Sequence, residues 1–248
     1  MERTLKCLRF ELHRSARMVA ICIGFYALFF ILFLVMELTA RRGMDGNYYN
    51  YYFFTVAVFF IFAAVAFPYG GLSNSLLLFS NTRRAIFAAG VLNAAVLAAG
   101  LAVLSVISDL FNPWLNGMLH FKSMQFLTLI YPGVAETGAG ILLWLFFYFA
   151  ALLALAGLGL VYGTLQYRFG KRFTIVFWVG FGMLCGVVPG IVVSLFPAQA
   201  RWAASAFFAV GRTSSLPLAS LHLLILALVC TGIAWLISRR QEQRVSEG

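Results

Sequence analysis

Apolar residues run along this chain in long stretches separated by short polar segments. A stretch of roughly 20 apolar residues is long enough to cross the ~30 Å hydrocarbon core of a bilayer as a helix. Six such stretches lie at about residues 18–38, 53–69, 85–108, 141–162, 174–196 and 216–238. The pattern predicts an all-α fold, a polytopic membrane helix bundle with six transmembrane helices, in which residues 1–248 form a single transmembrane domain.

Residues 1–17, ahead of the first stretch, are amphipathic. Leu5, Leu8, Leu12, Ala16 and Val19 recur at steps of three or four, so a helix gathers them in one stripe, with most of the nearby basic side chains on the other side. We therefore expect an interfacial amphipathic helix on the inner membrane surface before the six spans. Two roles are open for it: a basic tail that only orients the chain, or a docking element for a cytoplasmic partner.

The chain is strongly basic, with 18 Lys and Arg against 8 Asp and Glu and a net charge of +10. These residues lie between the apolar stretches, so their distribution over the two sides of the membrane is informative. Thirteen fall on one side, before the first stretch and after the second, fourth and sixth, and five on the other. The positive-inside rule makes the first side cytoplasmic, with both termini. Membrane lipids are a sufficient partner for this charge, and we expect no nucleic acid.

No catalytic machinery is recognisable in the sequence. A phosphate-binding loop has the pattern GxxxxGK[ST], but Gly170 and Lys171 have Leu165 where the first glycine belongs and Arg172 where a hydroxyl belongs. We therefore expect no catalytic residue, no cofactor and no ATP site in this chain. Any energy from ATP has to come from another subunit.

Ionisable residues within the predicted spans are few. Glu37, Asp109 and Glu136 fall at or beside the outer ends of spans, where water solvates a carboxylate, so we expect no ion-coupling group among them. His222 lies early in the sixth span, and a single histidine there is more typical of packing than of proton relay. The three histidines have no metal-ligand spacing and the four cysteines form no CxxC pair, so we expect no metal site.

Glycines at four-residue spacing predict close helix packing in two spans. They are Gly182, Gly186 and Gly190 in the fifth span, and Gly159 and Gly163 in the fourth. Small residues at this spacing let helix backbones approach closely in lipid. Pro189 removes a backbone hydrogen bond in the fifth span, so a kink is expected there. Gly182, Gly186, Pro189 and Gly190 are therefore candidate packing or hinge residues.

Two short motifs resemble those of a known family. The connection between the second and third spans ends in LFSNTRR (Leu78–Arg84), and the segment after the fourth span reads YRFGK (Tyr167–Lys171). Together with six spans and a basic amphipathic start, they resemble the permease subunits of type 2 ABC exporters, of which small members are common in Gram-positive bacteria. The resemblance covers the whole chain in layout and about a dozen residues in motif.

The resemblance implies a partner and a coupling site. In that family a separate ABC ATPase subunit docks under the permease, and the first cytoplasmic connection forms a coupling helix, which corresponds here to about Ser73–Arg84. The candidate coupling residues are Ser80, Asn81, Thr82, Arg83 and Arg84. The amphipathic start is the second expected contact. A second permease copy or a paralogue completes the complex in the bacterial plasma membrane.

The expected function is therefore that of the membrane-spanning half of an ATP-driven exporter. A non-transporting accessory or sensory membrane subunit is an alternative, although such a protein needs no coupling segment. A secondary carrier or channel is another, and typically shows repeats between its halves or polar lining residues. The spans show no convincing repeat, and Asn93 and Ser105 are too few to line a pore.

Overall fold

The described part of the chain is helical throughout. The computed structural model describes residues 2–40, 53–78, 83–118, 138–182, 205 and 215–239. The helices of this part are α1 Glu2–Ala40, α2 Phe53–Leu78, α3 Arg83–Met118, α4 Gly138–Phe169, α5 Lys171–Gly182 and α6 Leu216–Arg239. The all-α fold predicted from the apolar stretches is confirmed for these residues.

Four of these helices are long and apolar enough to cross a membrane. The apolar segments are Lys6–Leu32 in α1, Arg84–Phe111 in α3, and the whole of α4 and α6. Helix α2 contributes the shorter apolar segment Phe53–Ala66, and α5 has 12 residues. The rest of the predicted fifth span, residues 183–196, lies outside the described residues. The helices fit a membrane protein, while the count of six spans stays a prediction.

Helices α2 and α3 are among those that extend well past their predicted ends. Helix α2 continues to Leu78, so Ser73–Arg84 is not a separate coupling helix: residues 73–78 complete α2, residues 79–82 lie outside the described residues, and the last two begin α3. Helix α3 continues past Pro113 to Met118. Helix α2 passes through Gly70 and Gly71, and α3 passes through Pro113, although both residue types are poor helix formers.

Helix α1 is continuous from Glu2 to Ala40, with no break after the predicted amphipathic segment. Residues 2–23 contain no Gly or Pro, so nothing in this sequence stops helix propagation. Its buried stripe is Cys7, Glu11, Ser15 and Cys22, beside the predicted leucine stripe rather than on it. A separate surface helix is therefore not confirmed, and only 11% of the most apolar window of α1 is buried.

Helix α4 is the centre of the bundle and packs on α2, α3, α5 and α6. A Cβ at Gly159 would lie 3.0 Å from the carbonyl oxygen of Phe62 in α2. A Cβ at Gly157 would lie 3.1 Å from the Cβ of Cys230 in α6. Helix backbones approach this closely only at small residues, so Gly159 has the packing role predicted for it.

Contacts at two levels fix the directions of the helices. At the first level, Cys7 of α1 packs with Ile86 and Ala89 near the start of α3. The rings of Phe87 in α3 and Trp235 in α6 also meet there, with centroids 5.1 Å apart. The start of α1, the start of α3 and the end of α6 therefore lie together at one end of the bundle.

At the second level, Tyr26 of α1 meets Ser108 of α3, and Tyr148 of α4 meets Asp109. Phe54, close to the start of α2, packs on Tyr148 with ring centroids 4.6 Å apart. Helices α1 and α3 therefore run in one direction, and α2, α4 and α6 run in the other. At 1.5 Å per residue, α3 spans about 33 Å between the two levels, close to the thickness of bilayer hydrocarbon.

Candidate functional site

The starts of α1 and α3, distant in sequence, pack together in the structure. Cys7 is 2% exposed, Ile86 is 4% exposed and Ala89 is fully buried, and Leu8 packs against this cluster. Burying small and branched apolar side chains here joins the two helix ends by van der Waals contact. The start of α1 is one of the two segments that the resemblance assigns to contact with an ATPase, and the start of α3 contains the last two residues of the other, Arg83 and Arg84.

Exposed cations concentrate at this end, which we call the basic end. Six Lys and Arg side chains are described, all of them exposed, and all but Arg17 lie here: Lys6, Arg9, Arg84, Arg168 and Arg239. The first three lie on the two helix starts that Cys7 joins, and the other two lie in the last turns of α4 and α6, which end on this side of the bundle. Like charges this concentrated favour an anionic counterpart, whether lipid headgroups or an acidic protein surface.

The two arginines that begin α3 work against the helix dipole. The first turn of α3 contains Arg83 and Arg84 and no acidic residue. A positive charge at a helix N-terminus is unfavourable by about 0.3–1 kcal/mol, because the free N–H groups already carry positive charge. Helix stability therefore does not explain the pair. The other candidate coupling residues, Ser80, Asn81 and Thr82, lie outside the described residues.

The YRFGK motif forms the turn between α4 and α5. Gly170 has φ 71°, a left-handed conformation that favours glycine. Its N–H donates to the carbonyl of Gln166 at 2.8 Å, and the N–H of Phe173 donates to the carbonyl of Gly170 at 3.2 Å. The side-chain amide of Gln166 also donates to the hydroxyl of Thr174 at 3.2 Å. Turn geometry alone accounts for the glycine of this motif.

The candidate hinge falls mostly outside the described residues. Gly182 is the last residue of α5. Gly186, Pro189 and Gly190 are not among the described residues, so their packing and the kink stay predictions. Exposed Ile175 and Val179 show that the described part of α5 turns one apolar face away from the bundle.

Asp109 is buried, which corrects the expectation that water solvates it. Its side chain is 1% exposed, and the hydroxyl of Tyr148 donates a hydrogen bond to Oδ2. Oδ1 has no hydrogen-bond partner among the described residues. The predicted span ends at Ser108, but α3 continues to Met118 and Tyr148 of α4 packs on it, so Asp109 lies inside protein. An ionisable group is therefore buried within a helix that is long and apolar enough to cross a membrane.

Other polar side chains lie near this part of α3 or one helical turn from Tyr148, and we call the set the buried polar cluster: the half-buried Tyr26 and the buried Ser108, Asp109, Trp144 and Tyr148. The hydroxyls of Tyr26 and Ser108 are 2.7 Å apart, which ties α3 to α1. Trp144 lies one helical turn before Tyr148 in α4, is fully buried, and its indole N–H has no hydrogen-bond partner among the described residues. The adjacent residues of α3 thus reach two different helices.

The sequence carries a signal for this cluster. Ser105, Ser108 and Asp109 recur at steps of three and one within an otherwise apolar helix, which places all three near one face. A polar face on a membrane helix is turned toward protein rather than lipid. The hydroxyl of Ser105 donates to the carbonyl of Leu101 in the same helix, at 2.8 Å. Of the three residues, only Ser108 and Asp109 therefore bond to neighbouring helices.

Comparisons with known proteins leave the family resemblance untested. No protein-family model matches the chain, and no curated protein or solved structure matches it. Within the described residues, no three of His, Cys, Asp and Glu lie together in a way that suits a metal ion. The candidate sites therefore rest on the motifs and on the geometry of the bundle.

Proposed function

We propose that the chain is the membrane-spanning permease subunit of a type 2 ABC exporter in a bacterial plasma membrane. It supplies the translocation pathway, pairs with a second copy or a related permease, and is powered by a separate ATPase subunit. The packing of the start of α1 against the start of α3 carries the proposal. The amphipathic start is thereby joined to the helix that begins with Arg83 and Arg84, the last two residues of the expected coupling segment.

The charge of that surface supports a protein partner. Single exposed ion pairs contribute only about 0–1 kcal/mol, but several cations on one surface steer an acidic partner and fix its register. Lys6, Arg9 and Arg84 are exposed on the two joined helix starts. The arginines that begin α3 oppose its dipole, so an external anionic partner is the natural source of their compensation.

Helix directions support an even number of crossings. The start of α1 and the end of α6 both lie at the basic end, so the first and last described helices have these ends on the same side of the bundle. Helices α4 and α6 run in the same direction, so a return from one level to the other separates the end of α4 from the start of α6. Helix α5 covers about 18 Å of that return. This path agrees with the six predicted spans and with both termini in the cytoplasm.

The test is the double substitution Arg83→Gln with Arg84→Gln. We expect the variant to keep its fold and insertion but to lose co-purification of an ATPase and its ATP turnover, because two cations leave the proposed interface. The chain is purified from its native membranes in mild detergent, and ATPase subunits are identified by mass spectrometry. Cysteine labelling from outside should reach sites near Gly46 and Asn116 and spare sites near Asn81.

The matched control is Arg41→Gln with Arg42→Gln, an equal change of charge on the predicted outer side. It should leave ATPase co-purification unchanged. Full recovery of an ATPase by the Arg83 and Arg84 variant would refute the coupling role of this pair. If the unmodified chain recovers no ATPase at all, the exporter proposal itself is wrong.

The buried carboxyl favours a second candidate, a proton-coupled secondary carrier. Such carriers need an ionisable group inside the membrane, and Asp109 is one. A secondary carrier needs no ATPase, so the co-purification experiment separates the two candidates. Activity that persists without ATP but collapses when a protonophore dissipates the proton gradient would favour the carrier.

A further inference from the structure

Asp109 is the one acidic side chain among the described residues at its level of the bundle. The side chains that meet at this level are Tyr26 of α1, Phe53 and Phe54 of α2, Ser108 of α3, and Tyr148 of α4. The other titratable groups in this set are two tyrosine hydroxyls. Helix α6 contacts α3 through the ring of Trp235, at the opposite level.

The surroundings of Asp109 suit a neutral carboxyl better than a carboxylate. An ionised carboxylate has about four acceptor sites, and an isolated charge in an apolar interior is costly unless it is paired. The described residues offer one donor, the hydroxyl of Tyr148, and leave Oδ1 without a hydrogen-bond partner. No Lys, Arg or His of the described chain pairs with Asp109. A bound proton neutralises the carboxylate without needing a cavity of its own, as a metal ion would.

We propose that Asp109 is a proton-binding site inside the bundle, held as the neutral acid while α3 and α4 are packed together. The proton resides on the carboxyl, and the hydroxyl of Tyr148 donates to the remaining oxygen. Because Ser108 and Asp109 join α3 to α1 and α4, loss of the proton places an uncompensated charge at the junction of three helices. Release of the proton is therefore linked to separation of these helices. This inference does not rest on the proposed function.

Infrared spectroscopy of the full-length protein in nanodiscs of zwitterionic lipid tests the proposal. The carbonyl stretch of a protonated carboxyl is separate from the bands of carboxylates. At neutral pH we expect this band in the unmodified protein and its loss in Asp109→Asn. In Tyr148→Phe we expect the band at a shifted frequency, because the hydrogen bond to Oδ2 is absent. A band that stays in place in both variants would overturn the proposal.

Glu11→Gln is the matched control, since Glu11 is the other buried acid among the described residues, at 8% exposure. It should leave the band unchanged; loss of the band in this variant would assign the proton to Glu11 and overturn the proposal. Absence of the band from the unmodified protein at neutral pH would do the same. If Asp109→Asn does not fold, the shift in folded Tyr148→Phe decides the assignment.

A proton count provides a second measurement. When the protein is unfolded by a strong detergent in weakly buffered solution at neutral pH, a buried neutral aspartic acid becomes exposed and ionises. The unmodified protein should then release about one proton per chain more than Asp109→Asn. Equal release from the two proteins would mean that Asp109 is already ionised in the folded bundle, and the proposal would fail.

Discussion

Charged side chains are exposed at one level of the bundle, whereas an ionisable side chain is buried at the other. At the basic end, Lys6, Arg9 and Arg84 are exposed around a small apolar contact. About 33 Å away along α3, one carboxyl is buried among aromatic rings with a single hydrogen-bond donor. Exposed charge costs little and is replaceable, whereas a buried ionisable group is costly and persists only where it has a role.

The difference shows which evidence identifies function at each level. At the basic end the contact of Cys7 with Ile86 is structural, and the surrounding cations contribute little to folding, so their role has to be measured through a partner. In the buried polar cluster, folding and function depend on the same side chain. Substitution there changes both, so a spectroscopic signal of Asp109 is needed to separate them.

The largest contrast is expected from reversing charge at each level. Asp109→Lys buries a cation with no carboxylate partner beside Tyr148 and removes the oxygen that accepts from the Tyr148 hydroxyl, so we expect a loss of about 3–5 kcal/mol of stability. Arg84→Glu replaces an exposed cation by an acid in the first turn of α3, where the helix dipole favours an acid, so the protein should gain up to about 1 kcal/mol of stability. Unfolding in detergent titrated with denaturant measures both. Equal losses would remove the distinction between the two levels.

Hydrophobic patterning predicted the described helices well because the period and length of apolar runs decide helix formation in lipid. The predicted starts of α2 and α6 coincide with the observed ones, at Phe53 and Leu216. The ends are less predictable: α2 continues through two glycines to Leu78, because a glycine weakens a helix without ending it. The continuity of α1 has another reason: residues 2–23 contain no Gly or Pro, so no local signal ends the helix before the first span.

The candidate sites also contain features that the sequence predicts and features that depend on packing. Arg83 and Arg84 are visible in the sequence as a basic pair at a predicted boundary, but their proximity to the start of α1 depends on helix packing that no local pattern encodes. Asp109 was misjudged because its solvation depends on Tyr148, which lies 39 residues further along the chain. Whether a polar residue near the end of a span is buried depends on which side chains pack against it. The sequence alone therefore identifies such a residue only as a candidate functional residue.

Packing in the centre of the bundle provides the second test, because α4 connects the two levels. Gly159→Leu forces a side chain against the carbonyl oxygen of Phe62, where a Cβ would already be at 3.0 Å, and should cost about 1–3 kcal/mol. Gly100→Leu is the matched control, since nothing lies within 4 Å of a Cβ there. Thermal unfolding in detergent compares them. Similar melting temperatures would contradict close packing of α4 on α2.

The smallest effect is expected at the turn beside Arg168, where two glycine substitutions should have opposite signs. Gly170→Ala imposes a Cβ on a residue with φ 71° and should destabilise the protein by about 1 kcal/mol. Gly180→Ala, within α5 and with nothing within 4 Å of a Cβ, should stabilise it by up to about 1 kcal/mol through helix propensity. Denaturant titration of the two variants gives both values.

The same pair of variants sharpens the contrast between the levels. The turn at Gly170 belongs to the basic end, so straining it should leave the carboxyl band of Asp109 at its original frequency while stability falls. A shift of that band in Gly170→Ala would mean that the two levels are mechanically coupled through α4. In that case the exposed cations and the buried carboxyl belong to one moving unit. Helix α4 packs on α2, α3, α5 and α6, so a displacement of α4 at one level is transmitted to the other.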